Sequence, residues 1–189
     1  MTVWTTGWPP LAAAPFAGFD TVLVGVFAFR FRPDLLDTLP ALHEWTRAGG
    51  NLVTLYHRPG DNWDPDTTPP EHLQIGSPSL RWRVTDEAAE VTHLIPDHPL
   101  LTTPNRIGAQ DWGGWHKERG LYFAKSWDEV YTPLLSMADP DEAPHKGALL
   151  SAEIGQGRHT HCALIVHHQM EKLTPGAFRL MANLLHRAD

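Results

Sequence analysis

The sequence predicts a single α/β domain spanning residues 1–189, with a mainly parallel sheet, a C-terminal hairpin and a closing helix. Three observations point there. "TVLVGVFA" (Thr21–Ala28) is a near-continuous apolar run, as in strands buried on both faces. A helical pattern and a second apolar run, "NLVTLY" (Asn51–Tyr56), follow it as a strand–helix–strand crossover would. Near the C-terminus, two apolar segments flank "IGQGR", whose glycines suit a hairpin turn.

Between the first two strands, Leu35, Leu36, Leu39, Leu42 and Trp45 recur at helical spacing. Pro33 sits near the start of this helix, Arg47 in its last turn, and Gly49 where it should end. Pro40 removes a hydrogen bond inside the pattern and is expected to kink or split it. The stretch "HRPGDNWDPDTTPPEH" then reads as a long loop at a strand end, a common place for function. Short strands are expected at 81–84, 91–95, 120–124 and 132–137. The last element, "TPGAFRLMANLLHRA", has Thr174 as N-cap, Pro175 at the first helical position, and Phe178, Met181, Leu184 and Leu185 on one face.

Hydrophobic residues make up 42% of the 189 residues and charged residues 20%, enough apolar material for one core. The net charge of −7 argues against a nucleic-acid backbone or an anionic membrane surface as partner. A single cysteine forms no internal disulfide and no multi-thiolate zinc site, which fits a reducing compartment. The opening "MTVWTTGWPPLAAAPFAG" lacks a basic leader region and is interrupted by prolines, so no secretory leader is expected. No apolar run reaches the roughly 18 residues of a membrane helix. The expected location is cytoplasmic.

The stretch "HTHCALIVHHQ" gathers four histidines and the cysteine. If Arg158–Val166 is extended, His159, His161 and His167 face one way, and Thr160, Cys162 and His168 the other. Two histidines at i and i+2 on a strand are able to share a zinc ion, so His159 and His161 define an alternative metal site, with Asp61 or Asp97 as a further ligand. His167 and His168 are a second pair for that alternative, a metal-dependent hydrolase. Cys162 lies mid-strand, where a buried, inert thiol is expected rather than a nucleophile. "IPDHPLL" places Asp97 before His98 in an order that suits a turn opening a short helix. No His-Glu-x-x-His, Gly-x-Ser-x-Gly, phosphate-cradling loop or dinucleotide fingerprint occurs. "DWGGWHKERGLYF" sets Trp112 and Trp115 beside His116, Glu118 and Arg119, which suits sugar faces, a small interface, or packing over a sheet edge.

The blocks "FDTVLVG", "RPDL", "AGGNLVTLY", "PGDNW", "RVTDE", "PDHPLL", "TPNRI", "DWGGW", "ERGLYF", "YTPLLSM", "KGALL" and "GQGR", in this order, carry a resemblance. They resemble the class I glutamine amidotransferase-like domain associated with PIG-L (LmbE-like) deacetylase family proteins, a relative of ThuA-like domains. The resemblance runs from about Phe19 to Leu185 and implies a flavodoxin-like three-layer α/β sandwich. Such amidotransferases carry a nucleophilic cysteine at the elbow after a central strand; here that elbow holds His57 and Arg58. His167, His168 and Glu171 fall where the family places its histidine and glutamate, but a base without a nucleophile runs no thioester chemistry, so glutaminase activity is not expected. The resemblance also implies a first strand and helix that are not expected ahead of Asp20, so either the chain is a piece of a longer protein or one sheet edge is shortened for a second copy or a partner deacetylase domain to cover.

The expected function is therefore a non-catalytic amidotransferase-like module accompanying carbohydrate deacetylation, binding a small molecule or sugar or serving assembly. Its ligand site should lie beyond the carboxyl ends of the parallel strands. The candidates are Arg30 after the first strand, His57, Arg58, Asp61 and Asn62 after the second, and His167 and His168 after the late strand, with Trp112 and Trp115 as walls. Asp61 and Asn62 would meet hydroxyls and Arg58 an anionic group. No cofactor is expected, apart from zinc in the alternative.

Overall fold

In the computed structural model, which describes Phe16 and residues 18–187, the first apolar run forms β1 (Thr21–Val24). Expectations for the N-terminal segment, no secretory leader and no preceding strand and helix, concern residues outside that range. The strand stops at Val24, short of the apolar run, because Phe27 turns into a left-handed conformation (φ 54°) and opens the one-turn helix α1 (Ala28–Phe31). Next comes α2 (Asp34–Arg47), which runs through Pro40 unsplit. Pro40 is exposed, so the carbonyl it leaves unpaired faces water, while Leu35, Leu39 and Leu42 hold the opposite side in the core. β2 (Asn51–Leu55) is buried along its whole length.

The middle of the chain is made of short pieces. These are β3 (Leu73–Ile75), β4 (Arg83–Val84), β5 (Thr92–His93), α3 (Pro99–Thr102), β6 (Gly120–Leu121), β7 (Ala124–Trp127), β8 (Thr132–Pro133) and β9 (Leu135–Ser136). The chain closes with β10 (Leu149–Ile154), β11 (Gly157–Cys162), α4 (Val166–Glu171) and α5 (Pro175–Leu185).

The main sheet has the order β1-β2-β11-β10-β8. β1, β2 and β11 are mutually parallel, while β10 runs the other way and pairs antiparallel with both β11 and β8, so the sheet is mixed rather than mainly parallel. Hydrophobic runs report burial on both faces but not strand direction, which the hairpin reverses at Gly155 (φ 63°). The pairs β3–β7, β4–β6 and β5–β9 form separate ribbons.

Each face of the sheet carries its own apolar cluster. Val22, Val24, Leu52, Leu150 and Ala152 meet Leu35, Leu39 and Leu42 of α2. Val53, Leu55, Leu149 and Cys162 meet Leu180, Met181 and Leu184 of α5. Phe178, expected on the buried face of α5, is 42% exposed. Thr174 and Pro175 open this helix as read, but the Thr174 hydroxyl donates to Gly114 O (3.4 Å) instead of capping it.

β11 starts hard against the C-terminal end of α2. A Cβ at Gly157 would run into Thr46 O and the backbone of Gly50, whereas one at Gly60 meets nothing. Gly157→Ala should lower stability by about 1–3 kcal/mol, and Gly60→Ala should be close to neutral, as read from urea unfolding midpoints.

Candidate functional site

The histidines of β11 alternate as strand geometry dictates, and both point at β2. His159 Nε2 lies 3.0 Å and His161 Nδ1 2.9 Å from Thr54 Oγ1, and Tyr131 Oη lies 2.6 Å from His159 Nδ1. Both imidazoles are fully buried. Three of their four nitrogens are spent on Thr54 and Tyr131, while Asp61 is taken by arginines and exposed Asp97 pairs with Arg106 (3.4 Å). Among the described residues, no group of three His, Cys, Asp or Glu side chains is placed to hold a metal ion. Cys162 faces the α5 cluster, and burial pushes its thiol up to about 12, the opposite of what a nucleophile needs. His98 opens α3, its Nδ1 accepting from Leu100 N (3.2 Å).

The extended reading of 158–166 fails beyond Cys162. His167 and His168 lie in α4, their ring centroids 4.3 Å apart, so they are neighbours rather than residues on opposite faces. A strand-like apolar run ending at Val166 hides the helix start, because periodicity does not separate the two over so few residues.

Beyond the carboxyl ends of β1, β2 and β11, several of the candidates do converge. Tyr56 packs on Phe27 (5.1 Å between ring centroids), Tyr122 (5.8 Å) and His167 (5.7 Å). Arg58 lies 4.5 Å from the Phe27 ring centre and donates from Nε and Nη2 to both Asp61 carboxylate oxygens, each at 2.9 Å. Arg30 reaches the same carboxylate at 3.7 Å and stays half-exposed. His168 Nδ1 lies 3.2 Å from Glu171 Oε2 and 3.5 Å from Lys117 Nζ. Glu118 is half-buried, and that burial raises its carboxyl above the usual range.

Four non-glycine residues around this region, Phe27, Asn62, Lys117 and Tyr122, hold left-handed backbones with φ between 54° and 70°. Such strain persists where surroundings impose it, commonly at binding sites. Phe27, Tyr56 and Lys117 were not singled out in the sequence, whereas Glu118 and Tyr122 belong to the "DWGGWHKERGLYF" stretch read as suiting sugar faces. Tyr56 was legible as the residue at the end of a buried strand; the others come from segments without periodicity.

Four candidates point elsewhere. His57 turns inward, its Nδ1 donating to Leu55 O and its ring packed on Phe29 (5.0 Å) and Trp63 (5.4 Å). Asn62 donates to Phe29 O (3.0 Å) and borders a separate 620 Å³ groove with Pro40, His43, Asp64 and Thr68. Trp112 and Trp115 are buried and pack on one another at 5.5 Å. Their indole N–H groups donate to His93 Nε2 and Asp111 O, both at 3.0 Å, and Arg119 donates to Trp112 O and Ala89 O. They line a 580 Å³ groove with residues 87–91 instead of walling the strand ends. Large rings bury readily once their N–H finds a partner.

No protein-family model matches the chain, and no curated protein matches it. Among solved structures, the chain is similar to cytoplasmic protein STM3548 from Salmonella typhimurium, with a TM-score of 0.60 at 14% identity over 95% of this chain and 75% of that one. Cytoplasmic protein STM1381 from Salmonella typhimurium LT2 is similar too, with a TM-score of 0.61 at 13% identity over 95% and 76% of the two chains. At such identities the likeness is one of α/β fold. Among the described residues, no helix is long and apolar enough to cross a membrane.

The buried histidines make stability depend on pH. Burial lowers His57 to about 4 and His161 to about 3, and holds His159 well below its ordinary value. In the unfolded chain these groups titrate near 6.5, about the usual value. The unfolded state therefore takes up protons first, so stability is complete above about pH 6.5 and falls as pH drops from there toward 4. Each histidine contributes up to about 1.4 kcal/mol per pH unit. Urea midpoints should be lower at pH 5 than at pH 7.5, and replacing His161 by Gln should shallow the dependence.

Proposed function

We propose that the chain is a non-catalytic, sugar-binding module of flavodoxin-like, class I amidotransferase-like architecture that works beside PIG-L-type carbohydrate deacetylation in the cytoplasm. The observation that carries this reading is the turn after β2. Where a catalytic relative would present its nucleophile, this chain has Tyr56, His57 and Arg58, with His57 turned into the core and Arg58 locked to Asp61. The only cysteine, Cys162, sits buried on the α5 side of the sheet.

What lies at the strand ends suits recognition. Phe27 and Tyr122, half-buried against the buried ring of Tyr56, offer apolar surface for a sugar, and Arg30, Arg58, Lys117, Glu118 and His168 offer donors and acceptors for hydroxyls or an acidic substituent. The mixed character of the sheet does not disturb this, because the site uses only its parallel half. β1 pairs with β2 alone among the described strands, so its free edge is the place for a second copy or a deacetylase domain.

Ligand-observed NMR with neutral, N-acetylated and acidic monosaccharides tests the reading. Arg58→Ala should weaken binding at least tenfold, about 1.4 kcal/mol, while Cys162→Ser leaves it unchanged. Glutamine hydrolysis, stoichiometric zinc in protein purified without a metal column, or indifference of the Arg58 variant would overturn it. Light scattering that shows a plain monomer, together with no deacetylase in pull-downs, would remove the assembly role.

A further inference from the structure

Three buried imidazole nitrogens, His167 Nδ1, His57 Nε2 and His161 Nε2, have no hydrogen-bond partner among the described residues, and the last two belong to one cluster. Their residues are 1% and 0% exposed, and both rings pack on Trp63, at 5.4 and 5.2 Å. Buried polar atoms are almost always satisfied, by protein or by an ordered water. What satisfies these two depends on which nitrogens carry protons.

For His57 the geometry decides directly. Leu55 O only accepts, so Nδ1 carries the proton and Nε2 is a bare acceptor. For His161 the answer comes from the other end of a chain of contacts. Tyr131 Oη lies 2.6 Å from His159 Nδ1 and 3.4 Å from Glu71 O; the single phenolic proton goes to the much shorter contact, where the phenol is the more acidic partner of an imidazole lone pair, so the hydroxyl donates to His159. His159 then carries its proton on Nε2 and donates to Thr54 Oγ1. Thr54 has one hydroxyl proton, which goes to His161 Nδ1. His161 is left with its proton on Nε2.

The two unsatisfied atoms are thus one donor and one acceptor. We propose that a single buried water accepts from His161 Nε2–H and donates to His57 Nε2. It closes a one-way relay from Tyr131 through His159, Thr54, His161 and His57 to the Leu55 carbonyl. A bridging metal ion would need both Nε2 atoms bare, which the direction of the relay forbids. The water fixes the His57 ring at both nitrogens, and His57 precedes Arg58 in the chain. His57 is then a positioning residue that ties the Tyr131 end of the relay to the turn holding Arg58 and Asp61. This inference stands without the sugar-binding reading.

The full-length chain labelled with ¹⁵N-histidine tests it, by long-range proton–nitrogen correlation and water cross-relaxation. The expected result is His57 protonated on Nδ1, His159 and His161 on Nε2, and a cross-peak between the His161 Nε2 proton and a long-lived water. His57→Phe should abolish that cross-peak while His161 keeps its tautomer. A His161 protonated on Nδ1, or an Nε2 proton with no water contact in the wild-type chain, would overturn the proposal whether or not the variant folds.

Discussion

The parallel pairing of β2 with β11 is the constraint on which the rest of the structure depends. It places the histidine-bearing β11 against the apolar β2 inside a five-stranded sheet, with Thr54 registered beside His161 and Leu52 beside His159. Both imidazoles are cut off from bulk solvent, so each nitrogen there must find a protein group or an ordered water as partner or cost free energy. Thr54 answers for two of them with one hydroxyl, and Tyr131 for a third. The pairing cannot slip by a residue without turning these groups into the opposite, apolar cluster around Leu55 and Leu180.

The same pairing sets where the side chains that follow the strands gather. Because β1, β2 and β11 run parallel, their carboxyl ends open on one side of the sheet, and the connections leaving them meet there. Tyr56 and His57 leave β2 as neighbours yet go to different places, Tyr56 to the ring cluster with Phe27, Tyr122 and His167, and His57 back toward Trp63. The left-handed backbones of Phe27 and Tyr122 bring those rings together, so the region combines rigid aromatic surface with charged side chains.

Elements that are long and periodic were legible in the sequence. The first part of the apolar run at β1, the run at β2, the helically spaced leucines of α2, the glycine turn between β10 and β11, and the span of α5 formed where their patterns placed them. The alternation of His159 and His161 held, because a strand has a strict period of two. It failed at His167, where the chain had already become helical. Pro40 did not break α2, and Phe178 did not bury, because solvent exposure and tertiary contacts override local preference. Arg30, Arg58, Asp61 and His168 were found from their positions after strands, while Trp112 and Trp115 were assigned to a site they do not share.

By itself the sequence determined which segments are strands and helices and which side of each is apolar, since those properties repeat with the period of the backbone. It also excluded a cysteine nucleophile at the strand-end turn, because residue identity there is enough. Only the tertiary structure decided strand order and direction, the inward turn of His57, and the meeting of Phe27, Tyr56 and Tyr122. These depend on contacts between residues far apart in the chain, and no local pattern encodes which distant group will satisfy a buried nitrogen or cover an aromatic ring.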